Sequence, residues 1–148
     1  MSSLHVSHLQ DIYEEALIRI QEKNKKMNKI HENFLNRLKD SVQEFKIKLS
    51  QEIDYHLLRS AKHGCKRVRW CSRFNFSQKI GNVKVSTLVH GWKTNNTINS
   101  WDASTFKEIG MDGTPFQEII NDYKTRGIEI KNISNCCKGF GFWIEASF

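Results

Sequence analysis

Between residues 59 and 79 the chain carries seven basic side chains and no acid: Arg59, Lys62, Lys66, Arg67, Arg69, Arg73 and Lys79. Three of them fall in an alternating run, where Arg67, Arg69, Cys71, Arg73 and Asn75 take one face. Val68, Trp70, Ser72, Phe74 and Phe76 take the other. In an extended strand, same-face neighbours lie about 6.6–7 Å apart. That is roughly the spacing of successive phosphates along one nucleic-acid strand. An arginine grips a phosphate with two parallel hydrogen bonds, which a lysine cannot do. The chemistry on offer is recognition of a nucleic acid or another polyanion. Two other uses fit the same residues: docking an acidic protein partner, or a solvated face with salt bridges inside the molecule.

The rest of the 148-residue chain adds nothing to this charge. Residues 1–58 hold nine basic residues and nine acids, and residues 80–148 hold seven of each, so the formal net charge of +7 lies wholly in the stretch between. No DNA- or RNA-binding signature accompanies it, so binding without sequence choice is expected. The aromatics Trp70, Phe74 and Phe76 lie opposite the arginines and read as sheet core. Trp92, Trp101 and Trp143 read as core or interface anchors rather than base-stacking platforms. There is no G-x-S-x-G, H-E-x-x-H, phosphate-binding loop or dinucleotide fingerprint, so no enzyme is expected. Cys65 and Cys71 are six positions apart and Cys136 and Cys137 are adjacent, which is not the paired short spacing of a zinc knuckle. No metal and no cofactor are expected, and the thiols read as free. No apolar run approaches the ~20 residues that cross a bilayer. Residues 1–30 lack a signal-peptide pattern, so an intracellular or virion location is expected, with no membrane partner.

What must position the basic stretch is a long helix before it and a small sheet after it. The first glycine is Gly64, and the single proline is Pro115. Apolar residues recur at Leu9, Tyr13, Ala16, Leu17 and Ile20. They continue at Met27, Ile30, Phe34, Leu38, Val42, Phe45, Leu49, Ile53 and Leu57, at steps of three and four. Ser7 and Gln10 have the spacing of a capping box. At the far end, Arg59, Lys62 and His63 suit the negative pole of the dipole and Gly64 suits the position after it. A helix over roughly residues 8–63 would be on the order of 80 Å long, with the polar run 23–26 as its one candidate break. So long an apolar face exceeds what the remaining residues can cover. Ile20, Met27, Ile30, Phe34, Leu38, Val42, Phe45, Leu49, Ile53 and Leu57 are therefore expected to form a homo-oligomeric seam. From Met27 onward the mean step of about 3.75 points to a nearly straight bundle rather than a leucine zipper.

Past Gly64 the period changes to two. Residues 66–92 read as a hairpin turning at Gly81-Asn82, its second strand running from Lys84 to Trp92. A loop over 93–100 and a short helix at Ser104–Ile109 follow. Then comes a well-marked helix with Thr114 as cap, Pro115 in the first turn and Gln117 behind it. Residues 128–133 and 140–148 read as a closing pair of strands around a turn at 134–139. The expected fold class is α+β: a helical segment 1–64, then an antiparallel domain 65–148 of β-β-α-β-β order.

Lys, Asn and Ile make up 43 of the 148 residues, the bias of an AT-rich coding genome. The ending, T-P-F-Q-E-I-I-N-D-Y-K-T-R-G and then G-F-W-I-E-A-S-F, resembles the helix-plus-hairpin modules of small proteins from large nucleocytoplasmic DNA viruses. The resemblance covers about 35 residues and implies a viral accessory or virion component. The combined expectation is a self-associating, non-enzymatic protein that binds nucleic acid through the helix–strand junction. The alternative is an assembly protein that uses the same helix and junction to bind protein partners.

Overall fold

A 57-residue helix, α1 (Val6–Lys62), opens the fold, and the run Lys23 to Lys26 does not interrupt it. The structure, a computed structural model, describes residues 4–90, 103–135 and 141–148. The first turn closes on the carbonyl of His5, which accepts from the amides of His8 and Leu9. The start is thus two residues earlier than a Ser7 cap predicts, and the Gln10 side chain bonds Glu14 instead. The far end is as expected. Gly64 has a φ of 78°, and the Cys65 amide reaches back to the Ser60 carbonyl, closing the helix in a left-handed turn.

Two compact units divide the chain between Asn36 and Arg37, inside α1, rather than at residue 64. The reason is packing. In the second unit, Leu38, Val42, Phe45, Leu49, Ile53 and Leu57 are buried, and they form one core with the residues that follow the helix. Each such side chain contributes about 1.5–3 kcal/mol relative to exposure. These six positions of the expected oligomeric seam are therefore occupied by the chain's own fold.

A three-stranded antiparallel sheet makes the other wall, from β1 (Arg67–Asn75), β4 (Glu129–Asn135) and β5 (Gly141–Ser147), in the order β1-β5-β4. β1 thus pairs with the last strand and not with the segment after Gly81. That segment holds only a two-residue pair, β2 (Lys79–Ile80) and β3 (Val83–Lys84), around the Gly81-Asn82 turn. The expected strand from Lys84 to Trp92 is instead the helix α2 (Val85–His90) through its described part. Val85, Leu88 and Val89 fill the core at a spacing of three and four, which a period of two had hidden. The loop expected at 93–100 and most of the turn at 134–139 lie outside the described residues. The short helix α3 (Ala103–Glu108) is followed by Gly110 at a φ of 82°.

α4 (Pro115–Thr125) forms as its cap predicts, the Gln117 amide donating to Thr114 Oγ1 at 3.1 Å. The reciprocal half of the box is replaced by a Gln117–Asn121 bond. Phe116, Ile119 and Tyr123 are buried. The Tyr123 hydroxyl lies 3.0 Å from the Ser50 carbonyl and 2.5 Å from an Asp54 carboxylate oxygen, and Lys46 pairs with Glu118 at 3.0 Å. Burial, with the Asp54 hydrogen bond and charge behind it, holds the phenol above its ordinary ionisation range. These contacts fix α4 to the second half of α1.

Candidate nucleic-acid interface

β1 is the element that aims the arginines, and it is fixed by a buried acid. Glu52 of α1 is 2% exposed and lies on the helix face that covers β1. Its carboxylate accepts from Trp70 Nε1 at 2.9 Å, Ser72 Oγ at 3.1 Å and the Arg73 backbone amide at 2.9 Å. Three donors compensate the burial of the charge. With Phe74 packed against Phe45 and Trp70 against His56, the even-numbered side chains of β1 turn toward the helix. Arg67, Arg69 and Cys71 turn the other way, to the exposed face, and Arg73 is exposed within the register break between Cys71 and Asn75. The reading of Trp70 and Phe74 as core holds. Phe76 is half-buried and stacks on Phe142.

The exposed sheet face carries an acid that the segment count placed elsewhere. In the central strand, Glu145 sits opposite Arg69 on β1 and Lys131 on β4. One of its oxygens lies 3.2 Å from the Nε of both Arg67 and Arg69. Glu145 is nearly buried beneath them, while the two arginine side chains stay 69% and 58% exposed. One of their two charges is balanced inside the protein. What the carboxylate gives in exchange is position: two long side chains held side by side over the sheet. Lys131 pairs with Glu129 at the far edge.

Beside this pair stands Trp143, 37% exposed, two residues before Glu145 on the same face and opposite Cys71 in the register. Ile133, extra to the pairing where β4 slips register, is also exposed. Expected as an anchor, Trp143 keeps 37% of its surface exposed on the face that carries Arg67 and Arg69. The face of a strand that it would take could be read from alternation, but whether that face is covered could not. Trp92 and Trp101 lie outside the described residues.

The remaining basic residues divide. Arg59 and Lys62 are exposed in the last turn of α1, and Lys66 is exposed just before β1. Ser60 Oγ bonds the carbonyls of Cys65 and Arg67, holding this connection. His56, half-buried and stacked on Trp70 with centroids 4.4 Å apart, joins the two groups. Its pKa is held below the usual value first by burial. Glu52 opposes the shift, while the positive charges of Arg59 and Arg73 add to it. Arg59 at the helix end and Arg73 on β1 thus both act electrostatically on the His56 ring. Lys79 does not belong to it. It lies in the β2–β3 hairpin with Lys84, whose Gly81 abuts Ser41, eighteen residues before Arg59 on α1. That is about 27 Å along the helix axis. Cys65 and Cys71 are both exposed, and the described residues contain no cluster of His, Cys, Asp or Glu able to hold a metal ion.

The two residues that organise the site, Glu52 and Glu145, escaped sequence reasoning. Glu52 left one sign, an acid on the apolar stripe between Leu49 and Ile53. Glu145 left none, because its neighbours come from strands 76 and 14 residues away in the chain. No helix among the described residues is long and apolar enough to cross a membrane. Comparison with protein-family models, with curated proteins and with solved structures finds no match to this chain.

Proposed function

We propose that the chain is a self-associating, non-enzymatic protein that binds nucleic acid without sequence choice. The contact surface in this reading is the exposed face of the β1-β5-β4 sheet and the adjoining end of α1. The observation that carries it is the grouping of exposed Arg67 and Arg69 with Trp143 on one sheet face, with exposed Arg73 in the adjoining register break of β1. Arginines grip phosphates and an indole stacks on an unpaired base whatever its identity, so a single strand is the preferred form. The Lys-, Asn- and Ile-rich composition and the helix-plus-hairpin ending support a place among accessory or virion components of large DNA viruses.

Fluorescence anisotropy with labelled single-stranded and duplex oligonucleotides tests this. Arg67→Ser, Arg69→Ser and Arg73→Ser together should weaken binding severely, leaving only the residual contacts of Arg59, Lys62 and Lys66, while the oligomer keeps its size. Trp143→Ser should weaken single-strand binding about tenfold, the scale of one lost stacking contact. Absence of binding to every form of DNA and RNA at about 50 mM salt would refute the reading.

A second reading, docking of protein partners, is favoured by Glu145, which already balances one arginine charge. A pull-down with and without nuclease separates the two. Partners lost on nuclease treatment belong to the first reading, and partners that stay belong to the second.

A further inference from the structure

Residues 4–36 bury almost nothing. Only Ala16 and Leu35 are half-covered, while Val6 is 81% exposed, Ile30 68% and Met27 57%. An isolated helix gains little from propensity, and an exposed apolar stripe of this length marks a binding surface. The stripe here is regular. Val6, Tyr13, Ile20, Met27 and Phe34 recur every seven residues, with Leu9, Ala16, Lys23 and Ile30 three places after the first four. That is the seam of a two-helix coiled coil, with one basic residue set in it.

The charges along the same segment are not evenly mixed. Asp11, Glu14 and Glu15 form an acidic block without a basic residue. From Arg19 to Lys29 five basic residues face one acid, Glu22. A parallel, in-register pair would set Lys23 against Lys23 and stack each block on its like. Helix axes in such a pair lie about 8–10 Å apart, within about one Debye length at physiological salt, so the repulsion is felt. Turned end for end, the pair sets the acidic block of one copy along the basic block of the other, twice. A crossing near residue 18 then brings Val6 to Ile30, Leu9 to Met27 and Ala16 to Ile20. Lys23 lies beside Tyr13, where its apolar stem is covered.

We infer that residues 6–36 pair with the same segment of a second copy in antiparallel orientation, an inference that rests on the self-association in the reading above. The test uses the unmodified chain. Equal amounts of ¹⁴N- and ¹⁵N-labelled protein are mixed, allowed to exchange, sized by light scattering, and treated with a zero-length carbodiimide that joins carboxylates to amines. Mixed-isotope links between the 11–15 acids and the 23–29 lysines are expected; within one helix these groups are too far apart to join. A dimer without those links overturns the antiparallel pairing and leaves self-association standing. A monomer at tens of micromolar overturns self-association itself, and the pairing with it.

Charge reversal gives an independent reading. Glu15→Lys, on the seam flank that faces Lys26 of the other copy, should weaken the dimer about threefold, the scale of two equivalent surface pairs. Adding Lys26→Glu should restore it. An unweakened dimer in the first variant contradicts the antiparallel arrangement.

Discussion

Phe34 and Phe45 stand eleven residues apart on one unbroken helix and have opposite fates. Phe34 is 37% exposed, and Phe45 is fully buried against Phe74. The difference extends to the two segments that hold them. From Val6 to Phe34 the stripe keeps a seven-residue repeat, the period that suits a partner helix wound around it. From Phe34 to Leu57 the steps average about 3.8, close to the helix's own turn, which suits a face laid on a sheet that does not wind with it. The mean of about 3.75 read from Met27 onward mixed the two, which is why it pointed to a bundle and away from a coiled coil. After Asn36 the stripe lies in the chain's own core; before it, the stripe is exposed, and a partner helix covers it in the proposed pairing.

The sharpest way to break this comparison is to truncate the same residue type on each side. Phe45→Ala should cost about 3–5 kcal/mol of folding stability, the range for a buried phenylalanine. Phe34→Ala should leave thermal unfolding of the 37–148 unit within about 0.5 kcal/mol and appear only as a smaller mass in light scattering. Equal losses of melting temperature would erase the distinction.

Glu52→Ala comes next. It strips the acceptor from the Trp70 indole N–H, the Ser72 hydroxyl and the Arg73 amide, and should cost about 2–4 kcal/mol in a denaturant titration. A loss under about 1 kcal/mol would mean β1 is held by its apolar contacts alone.

A gain is expected in the first half. Lys23→Leu completes the seam and should strengthen self-association by about 1 kcal/mol, because a charged residue at a seam position trades stability for register. Sedimentation over a dilution series reads it. Unfolding of the second unit should not move.

The smallest effect concerns acid, and it belongs to the second half. In the folded chain His56 is held below its ordinary pKa of 6.5, so the unfolded chain binds its proton more readily. The neutral ring's contribution is intact above about pH 6.5 and is lost as pH falls from there through the lower folded value. His56→Gln should flatten that limb of the stability curve, measured by denaturant midpoints between pH 7 and 5. An unchanged slope would show that His56 is not the group titrating.

Legibility in the sequence followed the range of the interactions. The C-terminal end of α1, the cap of α4 and the alternation of β1 up to Cys71 were readable, since each is set by residues within a turn or two of one another; the start of α1 was not, its Ser7 cap giving way to His5. The α+β class followed from the change of period at Gly64. The pairing of β1 with β5 was not readable, because alternation marks a strand but not its neighbour. α2 was misread because Val83, Val85, Thr87 and Val89 satisfy a strand pattern as well as Val85, Leu88 and Val89 satisfy a helical one. Over six residues the two cannot be told apart. At the candidate site the arginines were visible as a run of charge, and Lys79 was included only through its place in the chain. Glu145 and the exposure of Trp143 depend on strands brought together from distant sequence, and no local signal encodes them.

The central functional claim is that phosphates are neutralised at the sheet face and helix end, and its most direct test is salt. Arg59, Lys62, Lys66, Arg67, Arg69 and Arg73 offer about five net contacts once Glu145 is counted, which predicts a log–log slope of affinity against salt of about −3.5 for single strands and about −4.5 for duplex. The triple replacement of Arg67, Arg69 and Arg73 by serine should bring the slope toward about −2. Binding that is flat in salt, or a slope that the triple variant leaves unchanged, would contradict the account.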